Sequence, residues 1–223
     1  MSIKKSIATA LKQNLLPGLV LQCFALALVL IYFFVPASQP VYAWFGVLKH
    51  EYGFLYAFVA TAFFGGFIPF VYLCASKRVD ASHNFFALFL FYVIFWGLKG
   101  MEVDFFYQLQ GHWFGYDNNV KTIATKVIVD QFIYSAFWAA PTITIAYLWV
   151  EYQFNFRAFT KALTRSFFLE KIPTVIFSNW LVWIPAVSIV YSMPQDLQIP
   201  LFNLVLCFWV LLLAVLNKKA ESV

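Results

Sequence analysis

Along most of this chain apolar side chains dominate for longer than a soluble helix or strand needs. Such runs occupy Leu19 to Val35, Tyr52 to Ala75, the stretch from Phe85 towards Gln108, Thr122 to Val150, Pro173 to Met193 and Leu201 to Leu216. A helix needs about 20 residues to cross the hydrocarbon layer, so the pattern predicts six membrane-spanning helices, the last near the short end of the range. Between them, Pro36, Pro40 and the pair Trp44-Phe45 read as a loop with interfacial aromatics. Lys77, Arg78 and Asp80 read as a polar turn, and GHWFGYDNNV (111–120) as the turn-rich end of the third run. Neither an internal repeat nor a low-complexity linker divides the chain. The expected architecture is all-α: a single integral membrane domain over 1–223, a polytopic helical bundle of about six hydrophobic spans.

Two flanking stretches are amphipathic. In residues 1–16, Ile3, Ile7, Ala10 and Leu11 share one helical face while Lys5 and Lys12 occupy the other. That is the pattern of an interfacial helix with its basic face on lipid headgroups. A mitochondrial presequence is a rival reading, since no acid precedes Glu51, but such peptides favour Arg and this stretch has none. A secretory signal fits less well, because the run after it is long and lacks a clear A-x-A exit. Between the fourth and fifth spans, Arg157, Lys161, Arg165 and Lys171 alternate with Phe, predicting an amphipathic segment in the headgroup plane.

With the N-terminus inside, Lys4, Lys5, Lys12, Lys77, Arg78, Arg157, Lys161, Arg165, Lys171, Lys218 and Lys219 fall on the inner side. Lys49, Lys99 and Lys121 fall to outer loops, and Lys126 to the fourth helix. This is the positive-inside bias. It turns both termini to the cytoplasm of a bacterial inner membrane if residues 1–16 persist in the mature chain, or to the matrix side of a mitochondrial inner membrane if they are cleaved.

Composition agrees: 63% of residues are hydrophobic, 22% aromatic and only 11% charged. Soluble domains carry about 25% charged residues. Cys23, Cys74 and Cys207 are odd in number, far apart and inside apolar runs, so no disulfide framework or zinc motif can be read. His50, His83 and His112 lie near loop ends without a ligand-type partner one turn away, so no metal or haem cofactor is expected. No GxSxG, HExxH, Walker loop or Rossmann glycine pattern occurs, and an enzyme is not expected. Expected partners are the lipid bilayer and small solutes or ions. Self-association is open. Nucleic acid is excluded for want of a domain to present a basic surface.

The chemistry that remains is ionisable groups within the spans. The fourth run contains KVIVDQFIYSAFWAAP (126–141), with Lys126, Asp130, Gln131 and a mid-helix Pro141. A carboxylate at that depth costs several kcal/mol and tends to face a partner or a water-filled cavity. Lys126 and Asp130 stand at i and i+4, positioned to pair, and Pro141 supplies no N–H to the carbonyl of Phe137. The plainer alternative is that both charges lie near the interface and anchor the helix. In the third run Lys99 and Glu102 are placed for an i, i+3 pair, with Asp104 two residues on. Glu102, Asp104 and Asp130 either mark a solute path or neutralise lysines and lock the helices together.

From Gly97 to Leu216 the chain resembles the family of the Mpv-seventeen mitochondrial inner-membrane protein and the twenty-two-kilodalton peroxisomal membrane protein. The resemblance is carried by Lys126, Asp130, Gln131 and Pro141, by Trp180, Trp183 and Pro185 followed by Met193-Pro194 and Trp209, and by Gly97, Gly100 and Tyr107. The chain departs from the family where Ile184 interrupts a Trp-Pro step, where Met101 replaces a Pro, where Ser188 and Val190 replace a Gln and an Asn-Phe, and where Gln198 replaces an Arg. The resemblance implies a helical membrane protein acting as a weakly selective channel for small solutes. It makes Lys126, Asp130, Gln131, Trp180, Trp183, Pro185 and Pro194 candidate functional or fold-defining residues.

Overall fold

The structure, a computed structural model, describes residues 3–77, 79 and 84–221. Arg78, Asp80 and His83, read above as loop residues, lie outside them, and so do the side chains of Lys218 and Lys219. Among the described residues every regular element is helical. Six helices are long and apolar enough to cross a membrane: Ile3–Phe34, Pro36–Ala75, Phe85–Phe114, Val120–Glu151, Phe167–Tyr191 and Gln195–Leu212, the first to sixth spans below. The protein is an all-α polytopic membrane bundle.

The first span packs along the fifth and sixth, the second along the third and sixth. Its inward stripe of Pro17, Gly18, Leu21, Ala25 and Val29 continues, in register, the half-buried face Ile3, Ile7, Ala10 and Leu11. For that reason residues 3–16 do not form a separate interfacial helix. They are the opening turns of the first span, fixed where Asn14 Nδ2 donates to Ser178 Oγ at 2.6 Å. Lys5 and Lys12 remain exposed on the other face.

The expected loop around Pro36, Pro40 and Trp44-Phe45 is instead a short 3-10 turn, Pro36–Ser38, leading into helix at Gln39. The break comes later, at Gly53, whose φ of 49° and ψ of −120° end the regular helix just where the second apolar run begins. Only glycine takes that conformation without strain. Residues 39–52 therefore form a helical limb, and Lys49 is buried on it rather than lying in an outer loop. Lys99 is likewise inside a helix, which runs to Phe114, well past the expected break at 111.

Between the fourth and fifth spans Phe156–Ala162 forms a short helix, started by Asn155, whose Oδ1 accepts from Ala158 N–H at 3.1 Å. The continuous amphipathic segment expected over 151–171 is thus divided, with Phe167 onward belonging to the fifth span. Arg157, Lys161 and Arg165 are exposed there. The sixth helix begins at Gln195 and takes in Asp196 and Pro200, both expected in a connection. It opens with Leu197 N–H donating to the carbonyl of Pro194 at 2.8 Å.

Three stretches are widened to π-helix: Ala62–Phe67, Asp130–Ala139 and Phe167–Lys171. Each ends two residues before a proline, Pro69, Pro141 and Pro173. After each, a backbone N–H reaches five residues back: Ile68 to Phe63, Ala140 to Ser135 and Ile172 to Phe167. In an α-helix the proline ring collides with the carbonyl four residues earlier. Widening the turn moves that carbonyl aside and lets the helix continue. The fourth span therefore adapts to Pro141 over several turns, where the sequence suggested a single freed carbonyl at Phe137. Pro185 uses another device: the carbonyl of Leu181, four residues before it, accepts Gln22 Nε2 at 3.3 Å.

Candidate functional site

The widened turns set which side chains of the fourth span point inward. Thr122, Lys126, Asp130, Gln131, Ser135, Ala140, Thr144 and Leu148 are all buried. Asp130 is 4% exposed and Gln131 2%. Asp130 Oδ2 accepts from the Tyr191 hydroxyl at 2.6 Å, and Oδ1 accepts from Gln131 Nε2 at 2.7 Å. The Tyr191 oxygen in turn accepts from Gln110 Nε2 at 2.5 Å. One hydrogen-bonded chain thus ties the third, fifth and fourth spans together at a carboxylate.

The i, i+4 ion pair between Lys126 and Asp130 does not form. Lys126 is buried, with Nζ 5.8 Å from the centre of the Tyr191 ring and 6.0 Å from that of Tyr116. Tyr191 comes between the two charges, its hydroxyl on Asp130 and its ring beside the lysine. A Tyr191→Phe chain would leave Asp130 and Gln110 each short of a partner. We expect a loss of about 1–3 kcal/mol, read as lowered thermal stability of the purified protein in detergent; an unchanged melting curve would mean that water replaces the hydroxyl.

Lys99 and Glu102 do pair, at 2.9 and 3.0 Å from Nζ to the two carboxylate oxygens. Lys99 also donates to Thr142 Oγ1 at 2.8 Å, and the Tyr134 hydroxyl donates to Glu102 at 2.5 Å. The pair is fastened to the fourth span through both members. Asp104, two residues beyond Glu102 in the same helix, lies with Oδ2 3.1 Å from Lys49 Nζ, close enough for an ion pair but off the line of a hydrogen bond.

A cavity of about 410 Å³ lies between the second to sixth spans. Asp130, Gln131, Lys99 and Ser135 give it a polar side, and Trp96, Trp183 and Trp209 are among its aromatic walls. A smaller cavity of about 220 Å³ is bounded by Lys49, His50, Asp104 and Asp196. Tyr107 lines both. Its ring packs on Tyr191, with centroids 4.8 Å apart. The loop after the third span is organised by Asp117, whose carboxyl is held below its usual range by hydrogen bonds from the Thr122 hydroxyl and the Asn119 backbone.

The remaining candidates support this arrangement from outside. The Trp180 indole N–H donates to the backbone oxygen of Gln131 at 2.8 Å, and Asn179 Nδ2 donates to Ser135 Oγ at 3.2 Å. Pro141 and Pro185 shape the helices carrying these residues, and Pro194 starts the sixth. Lys5, Lys12, Arg157, Lys161 and Arg165 are exposed and take no part in the cavity. Sequence reasoning missed Tyr191, Gln110, Tyr134 and Lys49, and also the buried bond from Thr61 Oγ1 to Asn203 Oδ1 at 2.7 Å. Among the described residues no three His, Cys, Asp or Glu side chains come together as metal ligands do.

Six spanning helices around a partly polar interior define a multi-pass membrane protein. Compared with family models, curated proteins and solved structures, the chain gives no match.

Proposed function

We propose that the bundle lets small solutes or ions cross the membrane, as a weakly selective channel or facilitator. The observation that carries this reading is the pair of cavities that share Tyr107 as a lining residue, each with polar groups on its wall. Acids and amides are costly to insert in hydrocarbon, and those that border a cavity, besides tying helices together, are placed to meet a solute. The resemblance to the Mpv-seventeen family supports the same reading. The basic end of the bundle would then face the cytoplasm of a bacterial inner membrane, or the mitochondrial matrix.

The test is solute release from proteoliposomes holding the purified chain. Release above that of empty vesicles is expected, with a several-fold change in Asp130→Asn protein that remains folded. Wild-type release at the empty-vesicle level would overturn the proposal. A second reading, a scaffold that organises lipid or a partner, draws on the exposed Arg157, Lys161 and Arg165 at the same end as Lys5 and Lys12. It predicts that charge reversal at 157–165 abolishes function while solute release never rises above background.

A further inference from the structure

We infer that the larger cavity is a binding site for a small organic cation, a primary ammonium carried on an apolar or aromatic body. The inference names the solute class of the proposed passage, and its transport arm rests on that reading; its binding arm does not.

The polar side of the cavity is short of donors. Asp130 presents a carboxylate with one donor on each oxygen, the Tyr191 hydroxyl and Gln131 Nε2, and each oxygen keeps a further lone pair. Gln131 Oε1, on a side chain that lines the cavity and is almost wholly buried, has no donor at all. Its orientation is fixed by chemistry: turning the amide over would set its oxygen against the carboxylate. A buried acceptor left unmatched beside a carboxylate calls for a ligand that brings N–H groups and positive charge.

The cation on the cavity wall does not meet that need. Lys99 has its ammonium engaged by both oxygens of Glu102 and by Thr142 Oγ1, so that pair is neutral and its donors are spent. Lys126, one turn from Asp130, makes no ion pair with it and is not part of the cavity wall. The rest of the wall suits the hydrocarbon part of such a ligand and the faces of a cation. Trp96, Tyr107, Tyr134, Tyr147, Trp183 and Trp209 border the space, and aromatic faces attract ammonium groups most strongly where water is excluded. A volume of about 410 Å³ is within the range of roughly 300–1,000 Å³ typical of small-molecule sites. It is larger than an inorganic ion requires.

The experiment is calorimetric titration of the full-length protein in detergent with three probes of similar shape: phenethylammonium, neutral 2-phenylethanol and anionic phenylpropanoate. Saturable binding of the ammonium alone is expected, lost in Asp130→Asn and weakened several-fold in Gln131→Leu. An ion-selectivity measurement on wild-type protein in planar bilayers needs no variant and should favour cations over anions. Equal binding of the alcohol, preference for the carboxylate, or no binding at all would overturn the inference. If the ammonium fails to bind while neutral solutes still cross proteoliposomes, the passage stands and the cation site falls; if it binds and nothing crosses, the reverse holds. Should Asp130→Asn fail to fold, the Gln131→Leu titration and the wild-type probe series decide.

Discussion

Replacing Lys49 by Met is expected to destabilise the bundle by about 3–5 kcal/mol, the usual cost of stranding one member of a buried ion pair. Lys49 and Asp104 have side chains only 8% and 3% exposed, and they join the helical limb before Gly53 to the third span. With its cation gone, Asp104 is left either as an unpaired buried charge or as a carboxyl that must take up a proton, and its Oδ2 already has no hydrogen-bond donor. Replacing both together, Lys49→Met with Asp104→Leu, should recover most of the loss, because two apolar side chains of similar volume leave no charge to solvate. Equilibrium denaturation in mixed micelles of the two single variants, the double variant and the wild type gives the coupling directly. A single-variant loss below about 1 kcal/mol, the range of exposed pairs, would mean that water in the smaller cavity already solvates Asp104.

Gly100→Ala should also be damaging, by a different route. A Cβ built on Gly100 lies 2.2 Å from Thr61 Oγ1 and 2.4 Å from the carbonyl oxygen of Ala57. The hydroxyl could rotate away, but the carbonyl belongs to the backbone of the second span. The two helices would have to separate at this point. Overpacking of a core costs about 1–3 kcal/mol and occasionally more; with a backbone atom as the obstacle we expect the upper part of that range or failure to fold. The exposed Leu98→Ala on the outward side of the same helix is the control. Size-exclusion profiles after graded heating should show early loss of the Gly100→Ala peak and a Leu98→Ala peak like that of the wild type. Indistinguishable profiles for all three would show that the second span shifts freely.

How much of this was legible in the residues depends on the distance over which each feature is decided. The six spans follow from apolar length alone, which is a property of local stretches, and so does the Lys99–Glu102 pair, one turn apart. The Lys126–Asp130 pair was equally plausible on that local geometry and does not form: Tyr191, some sixty positions on, gives Asp130 its hydroxyl and Lys126 the face of its ring instead. Nothing near Asp130 announces that partner. Lys49 looked like a loop residue because Pro36 and Pro40 suggest a break, whereas the helix starts between them and gives way only at Gly53. The amphipathic face of residues 3–16 was read correctly, but its burial against the fifth span depends on Ser178, far along the chain. Asp130 and Gln131 stood out early, as polar groups in hydrocarbon must. The cavity they border was invisible, because five spans contribute to it and no single one contains its pattern.

The widened turns ahead of Pro69, Pro141 and Pro173 carry a consequence for how chain length relates to shape. Between Asp130 and Ala140 the inward positions advance by five, so this part of the helix absorbs residues that a regular α-helix would have no room for. Removing one residue there would let a wide turn relax toward α and leave the halves holding Asp130 and Thr144 facing the same way, whereas the same deletion in a regular α-helix would swing one half by about 100° against the other. The three widened stretches are therefore where a chain of this fold could lose a residue and keep its inward face, whereas a gap in the regular turns would carry lipid-facing side chains toward the interior without altering a single residue type.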